Sequence, residues 1–248
     1  MIRRVQNEPA WLLHHRDYQD SSRILELLSR DHGRLSVVAR GSRSGKSRLK
    51  GILRPFLPLQ VSWVSRSDLG TLTGAELRAA PISLRGEALL SGYYANELLL
   101  HLVHRHDPQP DIFRIYGSTI ESLSSGREVA AKLRTFEMEL LRLLGYALNL
   151  EHDTDTQAPL AASGLYVYRP EYGASPARDA SAAMTFSGRE LIAIREQDFS
   201  RPETLRSAGR LLRDVIDFHM GGRELKSRRV FRDMRRGGAS SEKDASRE

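Results

Sequence analysis

The sequence has no cysteine among its 248 residues. This absence excludes disulfides, thiolate-bound zinc, cysteine-bound iron–sulfur clusters and a thiol nucleophile, and we expect no cofactor. Long hydrophobic runs are also missing, since apolar stretches such as 98–100 are far too short for a membrane span. The N-terminal residues carry charge but no extended apolar segment, so we expect no signal peptide. These absences favour a cytoplasmic protein that does not interact with a membrane.

A nucleotide-hydrolysing loop is also lacking. Residues 41–47 have glycines, a lysine and a serine, as in a phosphate-binding P-loop, but only three residues separate the two glycines. The P-loop needs four residues there and a helix immediately afterwards. Here Pro55 follows soon after the lysine, which argues against a long helix. We therefore expect no enzymatic activity from this segment.

Metal-binding patterns are weak. One group contains His101, His104 and His106, and another contains Glu151, Asp153 and Asp155. The histidines lack the spacing of a His-Glu-x-x-His zinc site, and the acidic group lacks the glycine and the spacing of a calcium loop. Polar residues at a helix end and in a solvated loop are the simpler interpretation, so we predict no metal site and no catalytic group.

What the sequence does contain is concentrated positive charge. The chain has 38 Lys and Arg against 31 Asp and Glu, a net charge of +7. Residues 30–66 hold nine of the basic residues and a single acid, Asp31, which gives that window a net charge of +8. Like charges repel one another, and an anionic partner relieves the repulsion. The clustering therefore favours a segment that binds the phosphate groups of a polyanion. A solvated basic loop without a partner is the alternative.

Five short apolar runs, separated by turn signals, occupy the first eighty residues. They cover 11–13, 23–28, 35–39, 59–64 and 72–77, and Asp31 to Gly33 is typical of a hairpin tip. Five short strands without a long helix favour a small closed barrel, because closure removes exposed sheet edges. Among the aromatic residues of this region, Trp11, Trp63, Phe56 and Tyr18 could stack on bases if exposed, but a core position is favoured.

Helical periodicity follows Pro81. It predicts helices over 84–106, 110–123, 129–144, 187–196 and 201–220, and a short helix over 225–234. Between them, 151–187 contains several Pro and Gly and one strand-like run at 165–168. We predict an α+β protein, in which an N-terminal five-stranded OB-type β-barrel precedes a mainly α-helical domain with a small irregular central insert.

The predicted segments have the following limits. Residues 1–80 form the barrel domain, 81–150 a helical bundle, 151–187 the central region, and 188–236 the C-terminal helices that pack on the bundle. The last segment, 237–248, has alanine as its only apolar residue, so we expect a disordered tail there.

Several short blocks of the sequence recur together in one known family. They are Arg-Gly-Ser-Arg at 40–43, Leu-Lys-Gly-Ile-Leu-Arg-Pro-Phe-Leu-Pro-Leu at 49–59, Tyr-Tyr-Ala-Asn-Glu-Leu-Leu at 93–99, Leu-Arg-Thr-Phe-Glu at 133–137 with Leu-Leu-Gly-Tyr at 143–146, and Gly-Gly-Arg-Glu-Leu-Lys-Ser-Arg at 221–228. In these blocks and in their order the chain resembles the RecO family of DNA repair proteins. The resemblance extends from residue 9 to about residue 234.

The resemblance implies an OB domain, a helical domain and no enzymatic activity. RecO-like proteins bind single- and double-stranded DNA and anneal complementary strands. With RecR they help to load the RecA recombinase onto strands coated by single-stranded-DNA-binding protein. The implied partners are therefore DNA, RecR and the C-terminal tail of the coat protein, in the cytoplasm at the nucleoid.

Site residues follow from the charge cluster and the resemblance together. The residues predicted to bind DNA are Arg34, Arg40, Arg43, Lys46, Arg48, Lys50 and Arg54. The resemblance implies that Arg134 matches a position implicated in holding the acidic, apolar-ended tail of the coat protein. An arginine there can form a forked pair with a carboxylate. The alternative for Arg134 is an ordinary residue on the surface of a helix.

Two points stay open. Some family members carry a four-cysteine zinc site in the central region, which this chain cannot form, so 151–187 must hold together by packing alone or stay mobile. The alternative function is a protein-interaction adaptor that recruits RecR or the coat protein with little direct DNA contact.

Overall fold

The computed structural model describes residues 2–45, 47–178 and 184–231. The chain divides into two compact units, one within Met1–Arg127 together with Glu224–Glu248 and the other within Glu128–Arg223. The first unit begins with a closed β-barrel, and the second combines helices with a small sheet. The α+β class predicted from the sequence is confirmed.

Five strands close the barrel in the order β1-β2-β3-β5-β4. The strands are β1 (Arg3–Tyr18), β2 (Ser22–Ser29), β3 (Gly33–Ala39), β4 (Pro58–Ser65) and β5 (Leu69–Leu77). β3 pairs with β5 in parallel and every other pairing is antiparallel. This is the OB-type arrangement that the five apolar runs predict.

β1 is much longer than the predicted run at 11–13. Its first half pairs with β4, from Arg3 opposite Ser65 onwards, and its second half pairs with β2 as far as Tyr18 opposite Ser22. The register shifts between Val5 and Glu8, where Asn7 has a φ of 54°. Such a bulge bends the strand and lets it serve both neighbours. The predicted start was wrong because the ends of β1 are polar and lack apolar alternation.

The barrel interior and a second layer of helices together account for the apolar residues of β1. Leu12 faces the barrel core, whereas Trp11 packs edge-on against Tyr116 at 5.5 Å between ring centroids. The Asn96 side chain donates a 2.7 Å hydrogen bond to the Leu13 carbonyl and accepts one of 2.6 Å from the Tyr116 hydroxyl. Both faces of β1 are therefore buried at this point, which explains its continuous apolar run.

The helices of this layer are α1 (Gly86–Leu102) and α2 (Pro110–Leu123), and a 3-10 helix (Arg48–Gly51) lies between β3 and β4. α2 has the predicted limits, with Pro110 in its first turn, where a missing N–H costs nothing. α1 is shorter than predicted and ends at Leu102. Residues 226–231 are helical in the same unit, one residue later than the predicted start at 225, and 232–234 lie outside the described residues.

The second unit contains α3 (Val129–Leu143), β6 (Leu165–Arg169), β7 (Gly173–Pro176), β8 (Thr185–Ser187), α4 (Gly188–Arg195) and α5 (Pro202–His219). The strands form a sheet in the order β7-β6-β8, so the central region is more regular than predicted. A reciprocal pair of hydrogen bonds between Ser187 and Glu190 caps α4. α3 and α4 both pack on α5.

The segment limits taken from the sequence remain predictions. α1 and α2 belong to the first unit and α3 to the second, whereas the sequence predicts one bundle of the three helices. The predicted tail 237–248 lies outside the described residues.

Candidate nucleic-acid interface

The basic segment between β3 and β4 is anchored on the barrel by its uncharged residues. The Ser42 hydroxyl is buried and donates a 2.8 Å hydrogen bond to the Ala39 carbonyl. Leu53 and Leu57 belong to the barrel core, and Leu49 and Ile52 pack against it. The sequence thus alternates residues that hold the segment down with basic residues that cannot be buried, which directs the charges outward.

Three predicted DNA-binding residues are exposed, and their charges are not paired within the described part of the chain. Arg40, Arg48 and Lys50 are exposed, and their side chains make no hydrogen bond or ion pair with the described part of the chain. Because no carboxylate of the described chain neutralises them, their charge is available to an anion from solution. Lys46 lies between them in the sequence but outside the described residues.

Two further arginines are partly engaged. The Arg43 guanidinium donates a 3.2 Å hydrogen bond to the carbonyl of Gln19, in the turn between β1 and β2, and lies 3.4 Å from the carboxylate of Asp17, near the end of β1. Arg54 is exposed and donates through Nε to the Gly51 carbonyl at 3.0 Å. Each guanidinium keeps further N–H groups that can reach a phosphate, but its position is fixed by the protein.

Arg34 is placed differently from the other predicted residues. Its Nε donates to the Val103 carbonyl at 2.9 Å, its Nη1 lies 3.5 Å from the Glu26 carboxylate, and the side chain is mostly buried. Burial, and then the nearby Arg105, lower the pKa of Arg34 from its ordinary value. Arg105 forms two hydrogen bonds to the same Glu26 carboxylate, at 2.8 and 2.9 Å. The structure therefore does not bring Arg34 together with the exposed cations.

Most aromatic residues near the strands belong to the core. Trp11, Trp63 and Phe56 are buried, as the favoured interpretation of the sequence predicts. Tyr18 differs, with 36% of its surface exposed at the end of β1, next to the turn that Arg43 contacts. Tyr18 is therefore the one of the four candidates that could offer a ring face to a base.

Arg134 lies on α3 in the second unit and is largely buried. Its Nη2 is 2.9 Å from Oε1 of Glu137, one turn further along the helix, and the Arg134 side chain is 17% exposed. Its Nε is buried and finds no hydrogen-bond partner among the described residues. A Cβ built on Gly209 of α5 would lie 3.2 Å from Nη1 of Arg134, so α5 crosses closely here. The residue is therefore not an ordinary surface arginine, and its role in tail binding stays a prediction.

The two weak metal candidates hold no grouped ligands. Within the described ranges, no three His, Asp or Glu side chains converge as a metal site would require. One oxygen of Asp153 accepts backbone N–H bonds from Asp155 at 2.7 Å and Thr156 at 3.3 Å. The chain has no cysteine donors, and in the described part of the central region this oxygen of Asp153 is committed to the backbone. In the same described ranges, no helix is long and apolar enough to cross a bilayer.

A closed five-stranded barrel with this strand order defines an OB-fold protein, a class whose barrels bind oligonucleotides and oligosaccharides. Residues 1–81 match the family model described as Recombination protein O N terminal, and 84–229 match Recombination protein O C terminal. The chain belongs to the RecO family of DNA repair proteins.

Curated relatives agree with the family models. The chain is 40% identical to the DNA repair protein RecO of Methylococcus capsulatus, over 92% of this chain and 94% of the relative. It is 42% identical to that of Coxiella burnetii, over 93% and 100%, and 39% identical to that of Azoarcus sp., over 93% and 97%. The resemblance inferred from the short sequence blocks is thereby confirmed.

Proposed function

We propose that this protein is a non-enzymatic mediator of DNA repair and recombination that binds single- and double-stranded DNA through the β3–β4 segment. The observation that carries the proposal is the set of three exposed cations, Arg40, Arg48 and Lys50, on a segment anchored in the barrel core. An anchored segment holds its charges in place, so DNA binding loses less conformational entropy than it would on a free loop.

Binding of this kind depends on the DNA backbone and not on its sequence. Phosphate contacts neutralise charge and release counterions, whereas sequence is recognised through base edges. The exposed groups of the segment are guanidinium and ammonium groups on a turn and on a four-residue 3-10 helix, which is too short to enter a groove. We therefore propose that the protein binds strands of any sequence, which suits a repair mediator.

Strand annealing follows from the same charge. Two complementary strands repel one another through their phosphates, and a cationic surface lowers that repulsion while both are bound. We propose that the protein anneals complementary strands and acts with RecR to load RecA onto coated strands. The acidic tail of the coat protein would be held at Arg134, and these steps would take place in the cytoplasm at the nucleoid.

Replacing Arg40, Arg48 and Lys50 together by alanine tests the DNA site. For single strands, each neutralised phosphate contributes roughly 0.7 to the slope of log affinity against log salt. The variant is therefore expected to reduce that slope by about 2, with weaker binding and slower annealing. Fluorescence anisotropy of a labelled single strand over a salt series measures the slope, and a quenching assay with complementary strands measures annealing.

The control removes the same charge elsewhere. Arg189, Arg201 and Arg213 are exposed and lie in the second unit, so their triple alanine variant matches the change in net charge. It should keep the wild-type slope. Equal losses in both variants would mean that net charge alone drives binding, and an unchanged slope in the first variant would remove the segment as the DNA site.

The adaptor alternative draws support from the engaged arginines. Arg34 is committed to Glu26 and Val103, and Arg43 is held by Asp17, which leaves fewer cations available than the sequence suggests. An adaptor would bind DNA weakly, with a flat salt dependence in the wild type itself. The same titration therefore separates the two functions.

A further inference from the structure

A second concentration of positive charge lies near the C-terminus. Residues 223–236 contain seven Lys or Arg and two acids. Its described residues from Glu224 onwards belong to the same compact unit as the barrel. In it, Lys226 and Arg229 are exposed, and their side chains have no partner in the described ranges. The run overlaps the block Gly-Gly-Arg-Glu-Leu-Lys-Ser-Arg, to which the proposed function gives no role.

The C-terminal segment is docked on α1 by specific contacts. The Glu97 carboxylate accepts hydrogen bonds from the backbone N–H groups of Lys226 at 2.8 Å and Ser227 at 2.9 Å, and from the Ser227 hydroxyl at 2.6 Å. Leu225 is buried beside them. These bonds fix the start of the 226–231 helix, so the outward cations have a defined position and are not carried on a loose tail.

α1 connects this segment to the basic segment of the barrel. The guanidinium of Arg228 lies over the Tyr94 ring at 5.7 Å from its centroid. The preceding residue, Tyr93, packs edge-on against Phe56 at 5.0 Å between ring centroids. Phe56 comes directly after Arg54 and Pro55, at the end of the β3–β4 segment. Tyr93 therefore lies between the two cationic segments, and it is 45% exposed.

We propose that Tyr93, Lys226 and Arg229 extend the DNA site of the barrel into one continuous track for single-stranded DNA. The strand would run from the β3–β4 segment across the exposed face of Tyr93, on which a base stacks, to the cations of the C-terminal segment. Alternating aromatic rings and cations are how proteins bind single strands without sequence preference. The inference rests on the proposed DNA-binding function and adds the direction and extent of the site.

Oligonucleotides of two lengths test the track. A strand of about 6 nucleotides is covered by one OB fold, whereas one of about 20 would reach beyond it. The Lys226→Ala and Arg229→Ala double variant should lower the salt slope for the long strand by about 1.4 and leave the short strand unaffected. Tyr93→Leu should weaken binding of the long strand about 5- to 150-fold, the range of one lost base stack, whereas Tyr93→Phe keeps the ring and should bind as the wild type does.

The controls separate this inference from the proposed function. Arg189→Ala with Arg213→Ala matches the charge change in the second unit and should bind both strands as the wild type does. A wild type with a flat salt slope on both strands would contradict the proposed function itself. If the wild type and the barrel variants behave as expected but the C-terminal double variant keeps the full slope on the long strand, the track alone is wrong. Equal losses on the short and long strands would also overturn it.

Discussion

Replacing Arg134 by alanine is expected to lower the free energy of unfolding of the second unit by about 3 kcal/mol. Removing one partner of a buried ion pair leaves the other charge in a poorly solvated site, which typically costs 3–5 kcal/mol. Glu137 is 1% exposed, so its carboxylate would lose the guanidinium 2.9 Å away without gaining water. The lower end of the range applies because Arg134 itself keeps some contact with solvent and Glu137 has a further interaction besides this ion pair.

The positions of the two tryptophans determine which spectroscopic signal reports unfolding of the second unit. Both tryptophans, Trp11 and Trp63, belong to the barrel strands, whereas α3, α4 and α5 lie in the second unit. Urea unfolding followed by far-ultraviolet circular dichroism should therefore show the loss, and tryptophan fluorescence should show less of it. A matched control is Arg142→Ala, which breaks an exposed pair with Glu139 of the same spacing on the same helix. That pair is worth about 0–1 kcal/mol.

A double substitution separates the contribution of the two charges to stability from the contribution of side-chain packing. Changing Arg134 and Glu137 together to methionine removes both charges and keeps apolar volume, so the loss should be much smaller than for Arg134→Ala. Equal losses in the single and double variants would show that packing of the arginine stem, and not its charge, stabilises α3.

The proposed tail site gives the same pair a second test. If Arg134 holds the terminal carboxylate of an acidic, apolar-ended peptide, that carboxylate competes with Glu137 for the guanidinium. Glu137→Gln should then tighten binding of the peptide several-fold, Arg134→Ala should abolish it, and an amidated peptide should bind weakly to every form. Equal affinity of the wild type, Glu137→Gln and Arg134→Ala would assign Arg134 a structural role only.

Much of the fold could be predicted because its signals are local. Turn residues separate the five apolar runs of the barrel, and proline and glycine mark the ends of α2 and α3. The missed elements have weak local signals. The start of β1 at Arg3 is polar, and β7 and β8 are only four and three residues long. The start of β1 pairs with β4, which is distant in sequence, and strands as short as β7 and β8 contain too few residues to show alternation.

The site was predicted as a set of charges but not as an arrangement. Sequence clustering selected Arg34 with its neighbours, yet Glu26 and the distant Val103 carbonyl engage its side chain. Conversely, Tyr93 fitted a helical pattern, and nothing in the sequence indicates that its ring lies beside Phe56. A charge cluster can be found from composition, whereas the availability of each charge depends on contacts between distant residues.

Substitution of Gly33 should also lower the free energy of unfolding strongly, because the backbone of residue 107 lies against this glycine. Gly33 has a φ of +67°, and a Cβ built there would lie 2.2 Å from the carbonyl oxygen of Asp107. The neighbouring Arg34 carbonyl accepts a 2.9 Å hydrogen bond from the His106 N–H, so the two segments cannot easily separate. Gly33→Ala is expected to lower the free energy of unfolding by about 3 kcal/mol, since left-handed backbone costs 1–2 kcal/mol and overpacking a further 1–3.

Comparison with Gly41→Ala separates the steric part of that cost from the backbone strain. Gly41 has nearly the same conformation, with a φ of +65°, but a Cβ built there has no heavy atom within 4 Å. Its alanine variant should therefore lose only the 1–2 kcal/mol of backbone strain. Urea unfolding followed by the fluorescence of Trp11 and Trp63 measures both variants in the barrel. Equal losses at the two positions would contradict the close contact between the β2–β3 turn and residue 107, which connects the barrel to the loop after α1.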